Sequence, residues 1–565
     1  MGSTARPPCV VLFLSMVWAP ACGEKGDELV CGEGTHEEDG ACLPDDPGDG
    51  GVMGDGGGTE DGGGSEDGGG TVDGGGTEDG GGTEDGGTED GGGTEDGGGT
   101  EDGGSDLDPA GRWTGDSRLP DGAIQLLGDR YLDGSGSSLA WGDANGDDAR
   151  DLLIGGMWAT RGTWAEGVAY LVHGPVTADR SLVDADAVIS GTDTQGFLGA
   201  WVGFAGDLDG DTYPELLVAA PNGFTTTDCP GKVHVFAGPV EGNLDPSDAI
   251  GTWIGAGDTD RAGRGLLGGF DLTGDGAIDL AIGVPGWNTG KGAVYVVTED
   301  VAGGGRLGDA AIRLEGTGEY SSSFGSDLVD LGDLSGDGVR DLGVNWGGWH
   351  SPSGAYMGAV AIFLGPLMGD ATADDADALI EGMEDVNWLA SEPHTTAMVG
   401  DVDADGVGDL VVGTPDATVD GYASAGSSWL LRGPDVLSGT TTSLAVATFE
   451  GTTTYTAMGD AAGSPGDVDG DGRSEVIIGK TGDSTYASSG GAACLFYGPL
   501  SGSYTCDDAE AAWFGDGERG QVGTVFLGGM DLTGDSFADL VVGASGAQGD
   551  SDESGVVYVI PGISP

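Results

Sequence analysis

Short runs of apolar residues, each bounded by glycine or proline, recur along the chain from about residue 111 to its end. Runs such as Leu152 to Ile154 and Val233 to Phe236 have the length of strands. The 3.6-residue period of an amphipathic helix is absent from this part of the sequence. The pattern predicts an all-β domain over residues 111–565.

These runs belong to an internal repeat, whose marker is an Asp-rich loop that starts every 62 to 68 positions. An apolar strand follows each loop, then a strand that ends near Gly-Pro, then a weaker strand that ends at glycine. With the strand before the loop, each unit has four strands. Four short antiparallel strands repeated seven times predict a seven-bladed β-propeller.

One strand of the fourth type stands before the first loop, at Ala123 to Leu127, whereas the last copy ends near Ile560. We therefore expect Ala123 to Leu127 to complete the last blade as its outer strand. Such a closure would remove exposed sheet edges from the ring.

The loops carry oxygen-bearing side chains at positions 1, 3, 5 and 9, counted from the first Asp. Alternate residues of a tight turn can converge on one point, and hard oxygen ligands favour Ca²⁺ over zinc or copper. The sequence predicts up to seven calcium sites. Their ligands are Asp143, Asn145, Asp147 and Asp151; Asp207, Asp209, Asp211 and Glu215; Asp271, Thr273, Asp275 and Asp279; Asp333, Ser335, Asp337 and Asp341; Asp401, Asp403, Asp405 and Asp409; Asp467, Asp469, Asp471 and Glu475; and Asp531, Thr533, Asp535 and Asp539.

An EF-hand begins in the same way, but it needs an acid at position 12 and flanking helices. Position 12 is apolar here, as at Ile154 and Val412, and strands are predicted on both sides. The loops also differ in charge, since the second, fifth and sixth offer four carboxylates and the others three. We expect the fifth loop to bind calcium most tightly.

The strand–loop–strand unit resembles the FG-GAP repeat of integrin α-subunits. Phe324-Gly325 precedes the fourth loop, and Ala219-Ala-Pro221 and Gly283-Val-Pro285 follow the second and third. The resemblance implies calcium ions that are mainly structural, on one face of the propeller, and a function in adhesion or recognition. By the same mapping, tryptophans of a ligand face would lie on the opposite face, at Trp158, Trp164, Trp287, Trp346 and Trp349.

The N-terminal part predicts export. Residues 1–21 have a basic residue and a short apolar run typical of a signal peptide, and small residues before Cys22 resemble a lipobox. Both a lipid-anchored surface protein, with lipid on Cys22, and a secreted protein are open. Residues 22–45 contain Cys31 and Cys42, an expected disulfide loop in an exported chain, and residues 46–110 form a Gly-rich acidic linker predicted to be disordered. Cys494 and Cys506 form a second candidate disulfide.

The charge restricts the partners. A formal net charge of −78 repels nucleic acid and anionic lipid, so membrane contact would be made only through a lipid anchor. The five histidines are scattered and no nucleophile motif stands in a suitable context, so we expect a protein that is not an enzyme. The leading hypothesis is a monomeric adhesion or recognition module for a protein or glycan. The alternatives are a structural envelope component and, third, a secreted hydrolase or lyase.

Overall fold

A computed structural model describes residues 112–562, apart from 223–228, 311, 318–321, 352–355, 383–388 and 439–441. It also gives short backbone strands before residue 112, at Gly23–Glu24, Leu29–Val30, Thr35–Glu38, Ala41–Pro44 and Asp106–Leu107. The predictions on the signal peptide, on Cys22, on the pairing of Cys31 with Cys42 and on the linker lie outside the residues whose side chains are described.

The described chain forms seven sheets, each of which contains four antiparallel strands. In the first six sheets these four strands follow one another in the sequence, whereas the fourth strand of the seventh sheet precedes all the others. The first strands are Ser135–Gly142, Trp201–Phe204, Leu266–Phe270, Phe324–Asp330, Thr396–Gly400, Met458–Gly466 and Val522–Met530. The second strands are Asp151–Gly156, Leu216–Ala220, Asp279–Val284, Leu342–Trp346, Asp409–Thr414, Glu475–Lys480 and Asp539–Ala544. The third strands are Val168–Val172, Lys232–Phe236, Ala293–Val297, Ala359–Phe363, Ser427–Leu431, Ala492–Phe496 and Val556–Ile560. The fourth strands are Ala187–Ser190, Gly251–Ile254, Ile312–Glu315, Ala378–Glu381, Ala447–Glu450, Ala511–Gly515 and, for the seventh sheet, Ile124–Leu127.

These sheets are the blades of a closed propeller. Each first strand contacts the first strand of the next sheet, and the first strand of the seventh sheet contacts that of the first. The predicted closure is confirmed, because Ile124–Leu127 pairs antiparallel with Val556–Ile560, with Leu127 opposite Val556. The seventh blade is thus built from both ends of the domain, and the ring is closed by main-chain hydrogen bonds.

The hydrophobic core is divided among the seams between neighbouring blades. Successive side chains of a strand point to opposite faces, so a strand in the middle of a blade serves two seams. On the second strand of blade seven, Val541 packs against blade one, whereas Leu540 and Val542 pack against blade six. Because both faces of each second strand are buried, its sequence is a continuous apolar run and does not alternate between apolar and polar residues.

A further strand protects the outer edge of six blades and was not foreseen from the sequence. Each is a short segment that pairs in parallel with the fourth strand of the preceding blade. These edge strands are Arg180–Ser181, Gly242–Leu244, Gly305–Arg306, Ala371–Thr372, Gly502–Tyr504 and, longest of all, Trp113–Leu119 on blade six. An edge strand whose N–H and C=O groups are paired no longer offers a template for aggregation.

Helices are confined to single turns. The 3-10 helices are Leu182–Asp184, Pro246–Asp248, Val301–Gly303, Leu307–Asp309, Ala373–Asp375, Thr442–Leu444 and Cys506–Asp508, and the α-helical turns are Trp287–Gly290 and Gly433–Val436. No helix among the described residues has the length and apolarity to cross a membrane.

Cys494, in the third strand of blade six, is joined to Cys506 by a disulfide, with Cα atoms 5.6 Å apart.

Ring closure should be a large contributor to stability. Leu126 in the closing strand is fully buried. We expect Leu126→Ala to lower the free energy of unfolding by about 2–5 kcal/mol, because it removes packing from the seam between blades seven and one. The measurement is urea unfolding followed by fluorescence. The matched control is Leu444→Ala, at a leucine 54% exposed, which should change stability little. Equal effects of the two substitutions would contradict this account of closure.

Candidate metal centres

Each Asp-rich loop joins the first strand of a blade to the second, and its turn is held by its own carboxylates. In loop one, Asp143 accepts hydrogen bonds from the backbone N–H groups of Gly146, Asp147 and Asp148 at 2.7, 3.1 and 3.0 Å. The bonds from positions 5 and 6 to the Asp at position 1 are present in all seven loops. This repeated geometry forces the acidic side chains to the inside of the turn.

The acid at position 9 connects the loop to the blade. It is the first or a neighbouring residue of the second strand, and it is at most 1% exposed in every repeat. In loop one, Asp151 accepts a bond of 2.7 Å from the Ala144 N–H and one of 2.9 Å from the Gly174 N–H. One carboxylate therefore ties together the loop, the second strand and the end of the third strand.

The same buried carboxylates are the reason to expect a cation. Glu215 Oε1 and Asp279 Oδ1 are buried without a hydrogen-bond partner among the described residues. A buried carboxylate oxygen with no partner carries a large desolvation cost unless a positive charge compensates it. Oxygen ligands from Asp and Glu side chains on a turn suit Ca²⁺, which would supply that charge.

Burial raises the pKa of the position-9 acid in all seven loops, against the opposing effect of backbone hydrogen bonds. The pKa of Asp409 rises to about 6 and that of Glu475 to about 8. The other acids of the same loops add a smaller repulsion that acts in the same direction. In the absence of metal, the loops thus hold carboxylates that are poorly stabilised in their charged form.

Three loops bring carboxylate oxygens within 4.8 Å of one another. Loop six gathers all four acids, Asp467, Asp469, Asp471 and Glu475; loop two gathers Asp207, Asp209 and Asp211; loop five gathers Asp401, Asp403 and Asp409. These are the loops with four carboxylates. In the other four, the oxygen at position 3 is neutral and belongs to Asn145, Thr273, Ser335 or Thr533.

Loop six is therefore geometrically more complete than loop five, although loop five was expected to bind most tightly. Arginines of the chain also approach both loops at position 3. Arg432 Nε lies 2.9 Å from Asp403 Oδ2 in loop five, and Arg112 pairs with Asp469 in loop six. Each arginine neutralises part of the charge that a cation would meet. The order of calcium affinities stays a prediction.

The five tryptophans assigned to the opposite face differ in exposure. Trp346 ends a second strand and the other four follow one, so all five lie at the end of the blades away from the Asp-rich loops. Trp164 is 53% exposed, whereas Trp158 and Trp287 are half-buried. Trp346 and Trp349 are buried and pack edge-on against one another in the seam between blades three and four. The expectation of an exposed role is therefore wrong for Trp346 and Trp349, which are core residues.

Sequence reasoning missed a charged cluster at the same end of the first strands. We call it the channel cluster, because it lies at the first strands, which contact one another around the centre of the ring. It consists of Arg264, Asp327, Glu392, His394 and Asp460, from blades three to six. The His394 N–H donates to Asp327 Oδ2 at 2.9 Å, and Arg264 interacts electrostatically with Asp327 and Glu392. Burial raises the pKa of Glu392 to about 7 and that of Asp460 to about 6.

A local departure from the repeat could have signalled this region. At five of the seven blade seams, a glycine of the second strand faces the main chain of the next blade; a Cβ on Gly283, for example, would lie 2.2 Å from the Gly325 carbonyl oxygen. Blade two has Ala219 at this position. At the seam of blades four and five the corresponding residues are Asn345 and Ala390. Asn345 is fully buried, and neither of its amide atoms has a hydrogen-bond partner among the described residues.

Comparison with known proteins agrees with the repeat. The sequence matches the FG-GAP repeat family over residues 199–236, 395–431 and 522–560, which are the first three strands of blades two, five and seven. It is similar to integrin alpha-IIb of Homo sapiens, with 33% identity over 177 residues, which cover 30% of this chain and 16% of the integrin. It is also similar to phosphatidylinositol-glycan-specific phospholipase D of Rattus norvegicus, with 29% identity over 216 residues, 34% of this chain and 24% of that protein.

Among solved structures, one match is the crystal structure of BBS1N in complex with ARL6DN, soaked with lead. It has 9% identity and a TM-score of 0.40, and it covers 77% of this chain and 95% of that one. The matched regions of the sequence relatives are a minor part of their length. The predicted FG-GAP repeats, the likeness to integrin α-subunits and the seven-bladed propeller are confirmed.

Stability without metal should depend on pH in a defined direction. The pKa of Glu475 lies near 8 in the folded chain, above its ordinary value of 4.5, so the folded state binds this proton more tightly than the unfolded state. Its contribution to stability is complete below about pH 4.5 and is lost as the pH rises through about 8. We expect the melting temperature of the metal-free protein to fall as the pH is raised from about 5 to about 8, because over this interval the folded and unfolded states bind the proton with different affinity.

Calcium should remove much of that fall, since it takes the place of the proton as the compensating charge. Glu475→Gln is the matched variant, because it keeps the shape of the side chain without its titration. The metal-free variant should lose part of the pH dependence. A metal-free melting temperature that rises steadily over the same interval would contradict the burial argument.

Proposed function

We propose that this seven-bladed β-propeller of FG-GAP repeats is a calcium-loaded recognition module that binds a protein or glycan at a cell surface and acts in adhesion. The observation that carries the proposal is the repetition of one hydrogen-bonded acidic loop at the same end of all seven blades. The seven acidic loops thus share a structural task, although the residues around them differ from seam to seam. Variable loops at the other end remain for recognition.

Calcium would act mainly on the scaffold. The acidic loops lie between strands that are themselves buried, and the position-9 acid reaches into the blade. A cation bound there lowers repulsion among carboxylates and fixes the first strand against the second. Its effect on a ligand at the opposite end would then be indirect, through the rigidity of the blades.

The proposal also covers the N-terminal part of the chain, which would direct export of the protein and hold the propeller at the cell surface. Lipid on Cys22 would anchor the protein to an outer membrane, and the acidic Gly-rich linker would hold the propeller away from it. Secretion without lipid is the alternative. Mass spectrometry of the mature N-terminus separates the two, because a lipidated Cys22 carries the mass of its acyl chains.

Calcium and recognition can be tested together in the full chain. Asp467→Asn with Asp471→Asn should lower the melting temperature in calcium, because it removes two charged ligands from the most complete loop. The matched control is Asp121→Asn, at an exposed acid outside the loops, which should have little effect. Calorimetry with and without Ca²⁺ measures both. An identical melting curve in chelator and in calcium would rule out calcium as the structural cation.

A screen of surface proteins and glycans with and without Ca²⁺ tests recognition itself. We expect saturable binding that weakens when calcium is removed. The same result distinguishes the module from a structural envelope component, which would show no specific ligand. The chain is proposed to act as a monomer, without contact to nucleic acid.

A second candidate function, hydrolysis or a lyase reaction, draws support from the channel cluster. Carboxyls whose pKa values lie near neutrality, beside an arginine, are typical of general acid–base sites. Glu392 would exchange a proton with substrate, and Arg264 would stabilise negative charge. We nevertheless propose a protein without catalytic activity, because the five histidines are scattered along the sequence and no nucleophile motif stands in a suitable context.

The decisive variant is Glu392→Gln. We expect the wild-type chain to show no turnover of glycan, ester or polyuronate substrates over pH 5–8, roughly the range in which such groups titrate. Turnover that falls by about 100-fold or more in Glu392→Gln, at an unchanged melting temperature, would replace the recognition proposal with an enzymatic one.

A further inference from the structure

A pocket of about 470 Å³ opens between the first and seventh Asp-rich loops, on the face that was assigned only to calcium. Its lining includes Trp141 and Arg150 from blade one and Met530 and Leu532 from blade seven. Asp147 and Asp148 of loop one and Asp531 of loop seven also line it, and the Asp531 carboxylate accepts hydrogen bonds from the backbone of loop seven. A volume of this size, with an aromatic residue and a few converging polar groups, has the composition of a small-molecule site.

The pocket is built by the ring closure and does not depend on a mobile segment. The Val176 N–H donates to the Leu532 carbonyl at 2.8 Å, which holds Pro175 against loop seven. Gly529 opens the opposite wall, because a Cβ added there would meet nothing within 4 Å. Blade one and blade seven each supply one side, so the site exists only in the closed propeller.

Trp141 distinguishes this seam from the other six. It stands two residues before the first Asp of its loop, where the remaining blades have Ala205, Gly269, Leu331, Val399, Pro465 and Gly529. The indole is 36% exposed, and the guanidinium carbon of Arg150 lies 4.9 Å from its ring centre. An exposed tryptophan held by a stacked arginine is a preformed flat surface that loses little freedom on binding.

The charges of the lining select the class of ligand. Three acidic residues and one arginine line the pocket, so the field there repels anions even when part of that charge is compensated by metal. Carboxylates accept hydrogen bonds from hydroxyl groups, and a guanidinium donates them. A neutral pyranose offers several hydroxyls around an apolar ring face, which matches both the polar groups and the indole.

We propose that this pocket, between loops one and seven, binds a neutral pyranose residue, with Trp141 beneath the sugar ring and Arg150, Asp147 and Asp148 on its hydroxyls. The inference rests on the proposed recognition function and gives it a ligand class and a position. It moves the sugar site from the tryptophan-bearing face to the calcium face. Because Asp147 and Asp531 are also predicted calcium ligands, the pocket would be shaped by metal as well.

The test measures binding of maltotriose, cellotriose and lactose by isothermal titration calorimetry in calcium, with sialyllactose as the acidic probe. We expect one of the neutral sugars to bind and sialyllactose not to bind more tightly than lactose. Trp141→Ala should weaken binding by about tenfold or more, Trp141→Phe should retain part of it, and Arg150→Gln should weaken it less. Saturation-transfer NMR should place the protons of one sugar face on the protein in the wild type and not in Trp141→Ala.

The matched control is Trp164→Ala, at a tryptophan on the other face that is 53% exposed, against 36% for Trp141. It should leave sugar binding unchanged, and the melting temperatures of both variants are measured to confirm that they are folded. Loss of sugar binding in Trp164→Ala, with retention in Trp141→Ala, would overturn the inference and leave the recognition function standing. Binding of a surface protein in the screen above, without binding of any neutral sugar, would do the same.

Discussion

The buried carboxylate at position 9 is the interaction on which the repeat depends. It lies at the start of the second strand, yet it accepts hydrogen bonds from the loop before it and, in four blades, from the glycine after the third strand. A carboxylate is expensive to bury, and seven of them are buried here. The cost is offset by backbone donors in part, and a cation would offset the rest. The turn of the loop and the pairing of the first two strands are therefore one property of the repeat, and a cation bound in the loop would act on both.

The second constraint is closure. Each seam between blades has its own apolar core, so a blade is stable only between two neighbours. The chain meets this requirement by returning Ile124–Leu127 to the last blade and Trp113–Leu119 to the edge of blade six. Both ends of the domain are thus fixed by main-chain pairing. The pocket beside Trp141 lies at this closing seam, between loops one and seven.

The two faces of the ring follow from the direction of the first strand. All first strands run toward the Asp-rich loops, which gathers the acids at one end and leaves the connections after the second strands at the other. The channel cluster at that other end carries a buried Asp327 and a Glu392 whose pKa lies near 7. It coincides with the seam where Asn345 and Ala390 stand in place of glycines. At this seam the residues therefore depart from the sevenfold repeat.

The sequence by itself determined the number of blades, the four antiparallel strands of each blade, a closing strand at residues 123–127 and the positions of the acidic side chains. These features depend on local pattern and on repetition, both of which are visible along a chain. Only the tertiary structure decided which acids approach one another in loop six, that Trp346 and Trp349 are buried while Trp164 is exposed, and that Arg264, Asp327 and Glu392 form one cluster. It also decided the parallel edge strands. The physical reason is that burial and electrostatic contact between blades depend on residues about 60 or more positions apart, which the repeat spacing brings together only once the ring is closed.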